Sequence, residues 1–105
     1  MVKIIELDNK EDFDSTIKTG TTLVDFYAQW CGPCQAMKPV VDRVSEEIDG
    51  VKFLSVDVDK FSDIAQTYQV MSIPTFVIIK DSEVKSVKNG AMSESDFKTW
   101  VEKNK

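Results

Sequence analysis

Cys31 and Cys34 are the two cysteines of this 105-residue chain, and only Gly32 and Pro33 lie between them. A thiolate that attacks a disulfide forms a mixed disulfide, which a second thiol must then release. Two sulfurs on one turn supply attacker and resolver without refolding the domain. If a helix begins at Gly32 or Pro33, Cys31 precedes the unpaired N–H groups and positive dipole end of that helix, and both stabilise its thiolate. Pro33 fits this placement, because a proline in the first helical turn lacks only an N–H that would have no intrahelical partner. Cys31 is therefore assigned as nucleophile. Cys34, one turn deeper and expected to be the less exposed, is assigned as resolving thiol.

Three other readings compete. A structural disulfide across so short a loop would remove little chain entropy. A structural zinc site needs about four Cys or His ligands, and this chain has two Cys and no His, which leaves only a site shared between two chains. Two inert core thiols would not account for the flanking Trp30, Gly32 and Pro33.

The remaining candidates surround this turn. Asp25 is a carboxylate among Leu23, Val24, Phe26 and Tyr27. Buried there, it would have a raised pKa suited to proton exchange near neutrality; at the edge of a sheet it would simply reach solvent. No histidine is available for that work. Trp30 adjoins a turn rather than a periodic face, so it reads as an exposed contact surface beside the sulfurs, whereas Trp100 lies on an apolar helical face and reads as structural. Pro74 on spacing alone is a turn proline, and Gly90-Ala91 a strand-to-helix turn.

The run Phe26-Tyr27-Ala28-Gln29-Trp30-Cys31-Gly32-Pro33-Cys34, with Ile73-Pro74-Thr75 further on, resembles the thioredoxin family, and the likeness extends over residues 2–105. The resemblance implies a thioredoxin fold: a central mixed five-stranded β-sheet flanked by four α-helices. It implies a protein-disulfide reductase in which Cys31 and Cys34 cycle between dithiol and disulfide, and in which Asp25 transfers the proton of the resolving thiol. It makes the Ile73–Pro74 bond cis and places it against the active-site turn. Trp30, Ile73, Pro74, Gly90 and Ala91 then form the substrate groove. No bound cofactor and no metal are expected, with NADPH used indirectly through a thioredoxin reductase. Oxidases and isomerases of the same fold usually carry histidine or another residue between the cysteines, where this chain has Gly32-Pro33. Glutaredoxins differ at Trp30 and Gly32, and a binding subunit with idle cysteines is the rival from another class.

Departures from the family are visible as well. Ser55 stands where many bacterial members carry a lysine beside the buried aspartate, which leaves Asp25 one cation short. Asp81-Ser82 replaces the Asn-Gly or Lys-Gly type of hairpin turn, which argues for a different turn. Met71-Ser72 leaves the groove shape open.

The elements that must position these residues can be read from periodicity. Residues 2–7 read as a first strand, followed by a helix capped by Asp8 or Asn9 that runs to about Lys18 with Phe13 and Ile17 buried. Residues 21–28 are β-branched and aromatic, as in a strand buried on both faces of a parallel sheet, and the Cys turn follows at its carboxyl end, where open α/β sheets place their sites. Met37, Val40, Val41, Val44 and Ile48 mark one face of a helix to about Asp49, with Gly50 as its stop. Pro39 should kink that helix, the alternative being an end at Lys38. A strand over 51–58 follows, then a helix capped by Asp57 or Asp59 that bears Phe61, Ile64, Ala65 and Tyr68. Strands over 75–80 and 83–88 are separated only by Asp81-Ser82 and must form a hairpin, so the sheet is mixed. Ser93, with Asp96 three residues on, opens a last helix with Phe97, Trp100 and Val101 inside.

Length predicts a single domain over 1–105 able to build one core without staples. A 42% hydrophobic and 30% charged composition is that of an ordinary globular chain, and 18 acidic against 13 basic residues give a net charge of −5. Neither a nucleic-acid surface nor a polybasic membrane surface is expected. No apolar run approaches the roughly 20 residues that span a bilayer, and the first residues lack a signal-peptide pattern. The chain therefore reads as a cytoplasmic monomer whose partners are disulfide-containing proteins; a form already freed of a targeting segment would read the same.

Overall fold

The structure, a computed structural model, describes residues 3–105. Its elements follow in the order β1 (Ile4–Glu6), α1 (Lys10–Ile17), β2 (Thr21–Tyr27), α2 (Gly32–Glu47), β3 (Val51–Asp57), α3 (Ser62–Thr67), β4 (Thr75–Lys80), β5 (Glu83–Asn89) and α4 (Glu94–Asn104). One sheet of five strands has the order β1-β3-β2-β4-β5. The β1, β3 and β2 strands are parallel, while β4 runs antiparallel to β2 and β5 antiparallel to β4. This is the mixed five-stranded sheet with four helices that the sequence predicts.

Side-chain alternation on the central strands divides the core in two. Val24 and Phe26 of β2 join Val77 and Ile79 of β4 against Phe13 and Ile17 of α1 and Ile64 of α3. Leu23 joins Phe76 and Ile78 against Met37, Val41 and Val44 of α2 and Phe97, Trp100 and Val101 of α4. Period two puts Asp25 on the α2 face with Leu23. In register, Asp25 stands between Ser55 of β3 and Phe76 of β4. Trp100 is buried as expected, and its indole N–H donates to Ser86 Oγ at 2.8 Å.

Caps set two helix starts. Asn9 accepts from the Asp12 N–H at 2.8 Å to open α1, and Ser93 accepts from the Asp96 N–H at 3.2 Å to open α4. The α2 helix passes without interruption through Pro39, so it does not end at Lys38.

Three expectations need correction. The first strand is shorter than 2–7: the paired residues are Ile4–Glu6, after which the Leu7 N–H still reaches the Ser55 carbonyl at 2.9 Å; Val2 lies outside the described residues. The α3 helix is capped by neither Asp57 nor Asp59. Phe61 holds its cap position without a side-chain bond, because the Asp57 carboxylate already accepts the Asp59 N–H at 2.9 Å in the preceding turn. The hairpin, finally, keeps the turn of an Asn-Gly sequence. Asp81 and Ser82 both take positive φ, 50° and 72°, as a two-residue turn matched to strand twist demands. Contacts to the end of α1 hold it there, with Gly20 N–H on Asp81 Oδ1 at 2.7 Å and Ser82 N–H on the Ile17 carbonyl at 2.8 Å.

Candidate active site

β2 ends at Tyr27, and four residues later Cys31 takes the cap position of α2 with extended backbone (φ −87°, ψ 112°). Its Sγ accepts the Cys34 N–H at 3.2 Å, one of the amides that a helix start leaves without an intrahelical partner. Pro33 lies in the first turn. Gln35 Nε2 donates to the Gln29 carbonyl at 2.8 Å and braces the loop before the cysteines. Cys31 and Cys34 are joined as a disulfide, with Cα atoms 5.3 Å apart. Depth along the helix does not rank their burial: Cys31 is 4% exposed and Cys34 6%, contrary to the expectation that Cys34 would be the more hidden. What separates them is their surroundings. Cys31 Sγ lies 4.0 Å from the Ile73 carbonyl, whereas Cys34 lines a pocket with Asp25.

On the outer side, Trp30 is 71% exposed and its indole N–H donates to Asp59 Oδ2 at 2.8 Å. The Ile73–Pro74 peptide bond is cis. The Pro74 carbonyl accepts the Gly90 N–H at 2.7 Å, and Gly90 sits at φ +89°, a conformation that side chains rarely adopt. Gly90 and the exposed Ala91 thus adjoin the proline loop. A shallow hollow of about 180 Å³ between Trp30 and Ile73 is completed by Val58, Val70, Met71 and Ser72. Met71 is 93% exposed. Val58 and Val70 gave no sign in the sequence of joining this surface, since they come from loops on either side of α3.

On the inner side, a pocket of about 590 Å³ is lined by Glu6, Asp25, Tyr27, Cys34, Lys38 and Asp42, with Ser55 among the residues that close it. Among the described residues, no donor reaches the buried Asp25 Oδ1. Burial raises the Asp25 pKa from 3.8 to about 7, the charges of Glu6 and Asp42 push the same way, and the Lys38 ammonium opposes them. The Tyr27 hydroxyl donates to Glu6 Oε2 at 2.6 Å; burial and then this bond hold the phenol well above its usual range. Glu6, Lys38 and Asp42 escaped the sequence reading. Their one trace was that Cys34, Lys38 and Asp42 recur every fourth residue, on one face of a helix.

Against this geometry, comparison with known proteins is decisive: the family model for thioredoxin matches residues 4–103. The chain belongs to the thioredoxin family. It is 44% identical over 81 residues to a thioredoxin of Chlamydia pneumoniae, covering 77% of this chain and 76% of the relative. To a thioredoxin of Staphylococcus epidermidis it is 48% identical over 73 residues, covering 69% and 70%. The solved structure of a thioredoxin from Nicotiana alata superposes with a TM-score of 0.91 at 28% identity, covering 99% of this chain and 94% of that one. Thioredoxins are disulfide oxidoreductases that work through a redox-active cysteine pair on disulfide-containing substrates, without a bound metal or cofactor. Cys31 and Cys34 are that pair, and the protein is a thiol-disulfide oxidoreductase. Among the described residues, no helix is long and apolar enough to cross a membrane.

Proposed function

We propose that the chain acts as a single-domain, monomeric protein-disulfide reductase of the cytoplasm, with Cys31 as nucleophile, Cys34 as resolving thiol and Asp25 as proton acceptor. In the reduced protein the Cys31 thiolate attacks a substrate disulfide. A Cys31–substrate S–S bond forms, the substrate S–S bond breaks, and the leaving sulfur departs with the electron pair. Cys34 then loses its S–H proton to the Asp25 carboxylate, and its sulfur attacks Cys31 Sγ. The Cys31–Cys34 bond forms, the mixed disulfide breaks, and the second substrate sulfur leaves as a thiolate with the electron pair of the broken bond. Two electrons have passed from the cysteine pair to the substrate, whose sulfurs take their two protons from water. A thioredoxin reductase drawing on NADPH restores the dithiol.

The observation that carries this assignment is the asymmetry around the pair. Cys34 N–H and the start of α2 face Cys31 Sγ, while Cys34 shares its pocket with a carboxylate that is half ionised near neutrality. Trp30, Ile73, Pro74, Gly90 and Ala91 lie on the other side, where an extended substrate segment can pair with the backbone before the proline. A cytoplasmic setting is in keeping with cysteines used for exchange rather than as staples.

The test is the reduction potential of the Cys31–Cys34 couple, equilibrated against a thiol-disulfide buffer and followed by Trp30 fluorescence. A value well below that of the glutathione couple is expected. A value near those of secretory oxidants would replace the reductase by an oxidase or isomerase.

A further inference from the structure

Charges from two elements converge on the pocket behind the disulfide, around Asp25. Glu6 enters from β1, and the Tyr27 hydroxyl of β2, at 2.6 Å, fixes where its carboxylate sits. Lys38 and Asp42 enter from α2, one and two turns beyond Cys34. From β3 comes only Ser55, uncharged and directly opposite Asp25. Lys38 is the one basic side chain among the residues that line the pocket, and among the described residues it makes no ion pair. Its ammonium is thus free to act on Asp25.

We infer that Lys38 and Glu6 are positioning residues that set, with opposite sign, the pH range in which Asp25 can take the proton of Cys34. The inference rests on the reading of Asp25 as proton acceptor. Burial without a hydrogen-bond donor favours the neutral carboxyl, which cannot accept a proton. A cation at the exposed rim of that pocket favours the carboxylate, and an anion held at the rim disfavours it. Asp42 acts in the same sense as Glu6. Together these groups keep Asp25 ionisable rather than permanently neutral. When Cys34 gives up its S–H proton, the electron pair stays on sulfur and the new O–H lies on Asp25. That proton returns to solvent through the pocket that Glu6 and Lys38 border.

Stopped-flow reaction of the reduced protein with an aryl disulfide whose thiolate is coloured separates the two steps, the first thiolate marking attack by Cys31 and the second marking resolution by Cys34. In the parent protein the second step should accelerate as pH rises through the ionisation of Asp25. Lys38→Met is expected to move that limb upward and Glu6→Gln to move it downward, each by about half a pH unit or more. Lys38→Arg should restore the parent profile, Tyr27→Phe should weaken the effect of Glu6, and the first step should keep its profile throughout. Lys38→Met and Glu6→Gln profiles that both coincide with the parent's, or that both move the same way, would overturn the inference. Asp25→Asn separates the two levels: if it leaves the limb in place, the Asp25 reading itself fails and the inference with it. If it abolishes the limb while Lys38 and Glu6 variants do nothing, only the inference falls.

Discussion

The Cys34 N–H donates to Cys31 Sγ at 3.2 Å, so an amide from the first turn of α2 points at the sulfur proposed to act as nucleophile. Among the described residues, the same helix start offers Cys34 Sγ no such donor. In the reduced protein, Cys31 should therefore react with iodoacetamide about tenfold or more faster than Cys34 near neutral pH, as peptide mapping after brief labelling would show. Cys31→Ser is expected to abolish disulfide reduction. Cys34→Ser should accumulate a mixed disulfide with a protein substrate, visible on a non-reducing gel; a mixed disulfide trapped by Cys31→Ser instead would reverse the two roles.

Asp25 also makes stability depend on pH. Its pKa is 3.8 as an ordinary side chain and about 7 in the fold, so the folded state holds the proton more tightly. The stability this contributes is fully present below the unfolded value and is lost as pH rises through the folded one. At about pH 8 the buried carboxylate opposes folding by at most about 4 kcal/mol, the full linkage value for that interval. Denaturant titration of oxidised Asp25→Asn should find it more stable than the parent at that pH. The gap should close toward about pH 3, below the unfolded pKa of 3.8, where unfolded and folded parent both hold the proton. A gap independent of pH would mean that Asp25 ionises normally.

The course of the chain was legible where one residue type dominates the local physics. Cys31 and the caps Asn9 and Ser93 each fix a helix start by accepting a backbone N–H close in sequence, Pro33 fits the first turn because it has no N–H to leave unpaired, and the apolar runs of β2 and β4 announce burial on both faces. What the sequence hid depends on competition between distant groups. Asp57 and Asp59 looked like caps for α3, but one carboxylate serves a tighter turn and the other holds Trp30, leaving Phe61 at the cap position. Asp81 and Ser82 accept left-handed backbone because the end of α1 bonds them across the sheet. The charges of the inner pocket come from β1 and α2, and only the sheet order β1-β3-β2 brings Glu6 near Asp25.

Lys52 illustrates such a distant contribution to stability. The α1 helix has no basic residue in its last turn, yet Lys52 Nζ, from β3, donates to the carbonyls of Thr16 and Thr19, the latter at 2.6 Å. A cation at a helix C-terminus satisfies free carbonyls and opposes the negative dipole end. Lys52→Met keeps most of the aliphatic stem and removes both bonds. It should lower stability by about 1–2 kcal/mol in thermal or denaturant unfolding. Reduction of a small aryl disulfide should continue at the parent rate, because Lys52 touches neither the cysteines nor the pocket behind them.

Trp30 and Asp59 make the complementary case, where a contact governs function and not the fold. The indole is 71% exposed, and its one protein hydrogen bond among the described residues runs to Asp59 Oδ2 at 2.8 Å. Asp59→Ala leaves the ring free to sample orientations in which it no longer borders the hollow toward Ile73. A protein substrate that lies across this surface would have to order the indole on binding, at a cost of about 1 kcal/mol, so kcat/KM for a protein disulfide should fall about fivefold. A small aryl disulfide meets only the sulfurs and should react with Asp59→Ala as with the parent. Equal losses on both substrates would show instead that Asp59 acts on the cysteines, through the loop that joins Trp30 to Cys31.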